Sequence, residues 1–137
     1  IPGITAACSG AARLGAPLMN DFCLISLSDL MTPWETIEKR LDCAAAADFV
    51  ICLYNPGSHK RADYLQKACA IILRHQNGSV PAGLVRHIGR KGEDAAIMTL
   101  GELQHVPVDM FTTVFIGNSQ TELIDGHMVT PRGYTLL

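Results

Sequence analysis

Asp48-Phe49-Val50-Ile51-Cys52-Leu53-Tyr54-Asn55-Pro56-Gly57 is the stretch whose reading decides the fold. Residues 49–54 show no polar alternation and are rich in β-branched and aromatic side chains, the pattern of a strand buried on both faces in a helix-covered sheet. Asn55-Pro56-Gly57 stops that strand. The basic run His59-Lys60-Arg61 follows. Tyr64, Leu65, Ala68, Ile71 and Ile72 then recur at helical spacing, which predicts a helix over 61–75, ended by Asn77-Gly78, that packs back onto the strand. Ligands of open α/β sheets sit in the crevice beyond the carboxyl ends of the strands. Tyr54, Asn55, Pro56 and Gly57 are therefore the first place to look for a site, with a plain strand-to-helix turn as the alternative.

Working outward, residues 22–27 form a second apolar strand. Thr32-Pro33-Trp34-Glu35 reads as a helix start, with Thr32 as N-cap, Pro33 in the first helical position and Glu35 completing a capping box. Ile37, Leu41, Ala44 and Ala45 continue it as one apolar stripe. Nearer the start, residues 4–14 are rich in alanine, with Thr5 as hydroxyl cap and Gly15 as stop, so a short helix precedes a connector over 16–21. Downstream come strands over 81–87, 94–99 and 111–116, a helical turn over 100–103, and a hairpin around Asp125-Gly126. The fold expected is α/β: a mixed, mostly parallel sheet of about five strands flanked by helices, with an antiparallel C-terminal hairpin as its edge.

A chain of 137 residues fits one domain with a real core. Its 48% hydrophobic and 18% charged residues and net charge of −2 exclude a disordered chain and imply no nucleic-acid partner. No apolar run reaches membrane-spanning length. The five cysteines are odd in number and no two lie closer than nine residues, so they read as small buried hydrophobes of a reducing, cytoplasmic compartment and not as metal ligands. The chain opens at Ile1 with Pro2-Gly3-Ile4-Thr5, which resembles a strand end turning into a helix, and this leads us to expect a preceding segment.

No local motif carries chemistry by itself: there is no P-loop, HExxH, GxSxG or strand-linked GxGxxG. Small or polar residues recur instead at element ends, at Thr5, Ser26, Ser28, Asn55, Pro81, Gly117 and Asn118. Thr5 is a plain cap or, with the helix amides behind it, a ligand contact. Asp29 with Ser26 and Ser28 can hold a hydroxyl or amino group, or be a solvated turn. His59, Lys60, Arg61, Arg86, Arg90 and Lys91 can meet an acidic ligand, or be surface charges. His87 suits a general base or a structural hydrogen bond, and Trp34 a core anchor. No catalytic acid or base is assigned.

With these residues in place, the chain resembles the tetrapyrrole (corrin/porphyrin) methylase family. The resemblance is carried by Ile1-Pro2-Gly3-Ile4-Thr5-Ala6-Ala7, by Ser26-Leu27-Ser28-Asp29-Leu30-Met31-Thr32-Pro33-Trp34 and by Leu53-Tyr54-Asn55-Pro56. Further on it is carried by Asp109-Met110-Phe111-Thr112-Thr113 with Gly117-Asn118-Ser119, and by Thr130-Pro131-Arg132-Gly133-Tyr134. These motifs are most similar to the branch that methylates C17 of precorrin-3B. The resemblance implies S-adenosylmethionine as cofactor, and methyl transfer to C17 of precorrin-3B or cobalt-factor III with ring contraction, in cobalamin biosynthesis. It implies cofactor contacts at Thr5, Ala6, Tyr54, Asn55, Pro81, Ala82 and Thr112, no metal, and a homodimer. For the polyanionic macrocycle the candidates are Ser28, Asp29, Arg86 and Arg90, with Lys60 and Arg61. Residues 1–20 would be an interdomain connector with the first helix, and 21–137 the C-terminal domain; the family's N-terminal GxGPG-like loop and Gly-Asp motif are not in this chain. Other readings are a methylase of the same fold acting on another corrin or on ribosomal RNA, or a dimerisation module without catalysis.

Overall fold

The elements are helix α1 (Ala6–Leu14), the two-residue strand β1 (Gly15–Ala16), β2 (Phe22–Ser26), α2 (Trp34–Ala46), β3 (Val50–Tyr54), α3 (Tyr64–Ile72), β4 (Pro81–Arg86), β5 (Asp94–Thr99), α4 (Leu100–Leu103), β6 (Thr112–Ile116), β7 (Glu122–Ile124) and β8 (His127–Val129). This is a computed structural model, which describes residues 1–134. Five strands form one mixed sheet in the order β2-β3-β6-β4-β5, with helices on both faces, as the apolar strand pattern requires. Its parallel share is smaller than expected. The crossovers through α2 and α3 give β2, β3 and β4 one direction. However, β6 runs the opposite way and inserts between β3 and β4, so within this sheet β2 and β3 alone pair in parallel; β5 folds back against β4 as an antiparallel edge.

Alternation along the strands sorts the core into two layers. Ile51, Leu53, Leu84, Val114 and Ile116 pack against α2, α3 and α4. Cys52, Val85 and Phe115 point to the other face, where Ala7, Ala11 and Leu14 of α1 cover them. The approach of α1 is close: a Cβ at Gly10 would stand 2.7 Å from the Phe115 ring.

The C-terminal hairpin is a correction to expectation. Asp125 (φ 50) and Gly126 (φ 76) make its turn, with both central residues left-handed. Yet β7 and β8 do not extend the main sheet. They form a separate three-stranded sheet with β1, which pairs in parallel with β8 through Gly15, expected as the helix stop, and Ala16, expected as connector.

Several local expectations also shift. Pro33 (φ −55, ψ 142) is itself the N-cap of α2, its carbonyl accepting from the Thr36 and Ile37 amides, so Thr32 and Glu35 form no capping box. That device appears on α4, between Thr99 and Glu102. Helix α3 starts at Tyr64, not Arg61, because the preceding residues are held in a turn. Trp34 is half-buried, tilted against Tyr64 at 4.4 Å between ring centroids. Residues 1–5 are exposed and form no strand. Of the cysteines, Cys52 and Cys69 are buried and burial pushes their thiols up to about 12, whereas Cys8 and Cys43 are exposed.

One end of the sheet is closed by Asp48, the residue (φ 60) between α2 and β3. Its carboxylate accepts from the Ser119 amide (2.9 Å), the Ser119 hydroxyl (2.5 Å) and Gln76 Nε2 (2.8 Å). Partial burial raises its pKa, but the bonds from Ser119 and Gln76 outweigh that and hold the carboxyl below the usual 3.8. A carboxyl lowered by folding stabilises the native state above its unfolded pKa and loses that contribution as pH falls through the folded value. Acid titration of urea stability should therefore show a loss below about pH 4 that is reduced in Asp48→Asn. A Gly10→Ala change should lower the urea midpoint: Ala gains about 1 kcal/mol in helix propensity, but overpacking against a fully buried ring costs about 1–3 kcal/mol. A raised midpoint would show that the ring has room to move.

Candidate functional site

The carboxyl ends of β2, β3 and β4, the start of β6 and the start of α1 meet at the other end of the sheet, opposite Asp48. Thr5 does not cap α1 with its own hydroxyl. Its Oγ1 lies 2.7 Å from the Tyr54 hydroxyl, which also accepts from the Ala7 amide at 2.8 Å. A side chain from the end of β3 thus satisfies a first-turn amide of α1 and locks helix start to strand end.

The strands end sharply here. Asn55 (φ 52) follows β3 and His87 (φ 51) follows β4, both in the left-handed region that Asn and His tolerate better than most residues. Asn55 Nδ2 donates to Ser26 Oγ at 3.0 Å, and the His87 amide donates to the Phe111 carbonyl at 3.2 Å. At the start of β6 the Asp109 carboxylate accepts from Thr112 Oγ1 and from the Phe111 amide, each at 2.9 Å. These segments enclose a hollow of about 220 Å³ lined by Ala6, Tyr54, Asn55, His87, Ile88, Arg90, Met110, Phe111, Thr112 and Thr113.

The sequence-based candidates separate cleanly. Ala6, Tyr54, Asn55 and Thr112 line the hollow, with Thr5 bonded to Tyr54 at its margin. Pro81 and Ala82 do not. They open β4 at the far end of the sheet, where the Pro81 carbonyl accepts from the Gly117 amide and Ala82 is fully buried in the larger core. The crevice lies beyond carboxyl ends; at that end of β4 the chain runs through Arg86 to His87, of which His87 lines the hollow.

Of the basic candidates, Arg90 lines the hollow. Its guanidinium lies 5.6 Å from the centre of the Phe111 ring, and it makes no ion pair among the described residues. Arg86 is held by Asp94 (3.2 Å) and donates to the Pro107 carbonyl. The Ser28 amide donates to Ser26 Oγ, and Asp29 is engaged by Arg61 and Tyr64. Sequence reasoning missed Ile88, Met110, Phe111 and Thr113 as lining residues. The available signal was Met110-Phe111, a large apolar pair placed just before a strand and left exposed. Among the described residues no cluster of three metal-ligating side chains exists, and no helix is long and apolar enough to cross a membrane.

Residues 1–104 match the family described as Tetrapyrrole (Corrin/Porphyrin) Methylases. A Salmonella typhimurium protein named as a probable cobalt-factor III C(17)-methyltransferase is 52% identical over 136 residues, covering 99% of this chain and 56% of that protein. A Sinorhizobium protein named precorrin-3B C(17)-methyltransferase is 46% identical over 138 residues, covering 97% and 54%. The solved structure of the methyltransferase CobJ superposes with a TM-score of 0.87 at 35% identity, over 95% of this chain and 54% of that one. The chain thus spans a little over half the length of these relatives.

Tyr54→Phe should leave the Ala7 amide without its partner. At roughly 1 kcal/mol per hydrogen bond, exchange of the Ala7 amide with deuterium should quicken about fivefold while Cys52 and its strand neighbours stay protected. Unchanged exchange at Ala7 would show that Tyr54 does not anchor the helix.

Proposed function

Because this chain belongs to the tetrapyrrole (corrin/porphyrin) methylases, we propose that it works within an enzyme that moves a methyl group from S-adenosylmethionine to C17 of precorrin-3B or cobalt-factor III. Ring contraction accompanies the transfer, and the step belongs to cobalamin biosynthesis. In this reading residues 21–137 are the enzyme's C-terminal domain, residues 1–20 its connector and first helix, and the whole a cytoplasmic homodimer. The observation that carries the reading is the gathering of Ala6, Tyr54, Asn55 and Thr112, with Thr5 beside them, around one hollow at the carboxyl end of the sheet.

The hollow suits one wall of a donor site. Its volume of about 220 Å³ falls short of the roughly 300–1,000 Å³ usual for small-molecule pockets. Its lining mixes apolar and polar groups: Ala6, Ile88, Met110 and Phe111 exclude water, while the Asn55 carboxamide oxygen makes no hydrogen bond among the described residues and is free to accept one. The opposite wall would come from the part of the protein outside this chain.

S-adenosylmethionine, when bound, supplies an already activated methyl group, so orientation and exclusion of water account for much of the rate gain. The residues here are suited to that task. The Tyr54 hydroxyl, bonded to Thr5 and the Ala7 amide, holds the edge of the wall rigid, and Asp109 fixes Thr112 in the same way. Arg90, free of carboxylate partners among the described residues, draws the acidic side chains of the macrocycle toward the hollow.

Incubating the full-length protein with S-adenosylmethionine and either cobalt-factor III or precorrin-3B should give a product heavier by one methyl group in mass spectrometry. No gain with either substrate would remove the assignment. Ala6→Phe, which fills the hollow, should raise the KM for S-adenosylmethionine at least about tenfold, a loss near 1.4 kcal/mol, with the far-ultraviolet dichroism unchanged.

A further inference from the structure

Several of the most exposed apolar side chains stand at the same end of the sheet as the hollow. Leu30 and Met31, in the loop after β2, are 74% and 95% exposed, and Met110 and Phe111 stand exposed before β6. Next to Leu30 in the chain, Asp29 has two partners, one by ion pair and one by hydrogen bond. One carboxylate oxygen pairs with Arg61 Nε at 2.9 Å, and the other accepts the Tyr64 hydroxyl at 2.5 Å. The Arg61 guanidinium also lies 5.9 Å from the centre of the Tyr64 ring, and its side chain is only 22% exposed.

Arg61 makes its nearest approach to Asp29 through Nε. Its two terminal nitrogens donate no hydrogen bond to any described residue. A guanidinium held this way keeps a two-nitrogen fork in a set direction, which matches the spacing of a carboxylate. Holding it in advance also reduces the entropy lost on binding. Asp29 does not cancel the cation's reach: the Tyr64 hydroxyl bonds its second oxygen, and Lys60, next in the chain, adds a further positive charge.

We propose that Arg61, positioned by Asp29, receives a peripheral carboxylate of the tetrapyrrole substrate, while Leu30 and Met31 cover part of the macrocycle's apolar face. This rests on the function proposed above and assigns the residues that recognise the acceptor. A ring that is apolar on its faces and acidic around its rim needs this pairing of exposed aliphatic side chains with a fixed guanidinium. Asp29, a substrate candidate from sequence, acts here through Arg61 as a positioning residue.

The test uses the full-length protein and two stable probes followed by fluorescence: uroporphyrin III, with eight carboxylates, and coproporphyrin III, with four. Arg61→Lys keeps the ion pair to Asp29 but loses the fork. It should weaken uroporphyrin binding about tenfold, leave the thermal midpoint and S-adenosylhomocysteine affinity at wild-type values, and affect coproporphyrin less. Arg61→Met should weaken uroporphyrin at least as much, and Asp29→Asn by a smaller factor. Wild-type uroporphyrin affinity in Arg61→Lys, or no porphyrin binding by the wild-type protein, overturns the inference. S-adenosylhomocysteine titration separates the two proposals: absent binding defeats the proposed function, while normal binding with an indifferent Arg61 defeats only this assignment.

Discussion

A strand that is apolar on both faces cannot have either face in water, and most of this architecture follows from that constraint. Val50, Ile51, Cys52 and Leu53 are all buried, which requires α1 on one side of the sheet and α2 with α3 on the other. Val50, Ile51 and Leu53 each contribute about 1.5–3 kcal/mol when fully withdrawn from water, so the strand's position is strongly determined. Polar chemistry is left only the strand's two ends. At one, Asp48 gathers Ser119 and Gln76 into a staple; at the other, Tyr54 and Asn55 open onto the hollow.

The two ends have different tasks. Around Asp48 the polar groups satisfy one another. At the opposite end the groups are satisfied just enough to be held, through Tyr54 to Thr5 and Ala7, Thr112 to Asp109, and Arg61 to Asp29, while the Asn55 carboxamide oxygen and the Arg61 terminal nitrogens make no hydrogen bond to any described residue. The left-handed residues Asn55 and His87 belong to this end because the chain must leave β3 and β4, the strands on either side of β6, abruptly to keep the crevice open. Sharp backbone turns of this kind cluster at binding sites.

Much of this was legible in the residues. The continuous apolar runs at 49–54 and 111–116 marked buried strands, the alanine-rich run marked a short helix, and Asp125-Gly126 marked a hairpin. The quoted motifs pointed to the family. Errors arose where a local signal competed with a distant partner. Thr5 carries every mark of a cap, yet its hydroxyl bonds a tyrosine 49 residues away. Pro81 and Ala82 sit at the end of β4 away from the hollow, since a strand's direction relative to its neighbours is not written in its own residues.

What the amino-acid order determined alone is the set of helices and longer strands, because helix and strand periodicities are local properties of side chains and backbone. The tertiary structure decided the rest. Nothing in the order of residues places β6 between β3 and β4, takes β7 and β8 out of the main sheet to pair with β1, or turns Asp29 from a free carboxylate into the support of Arg61. Those outcomes depend on which surfaces meet once the apolar faces are covered, and each is set by residues far apart in the chain.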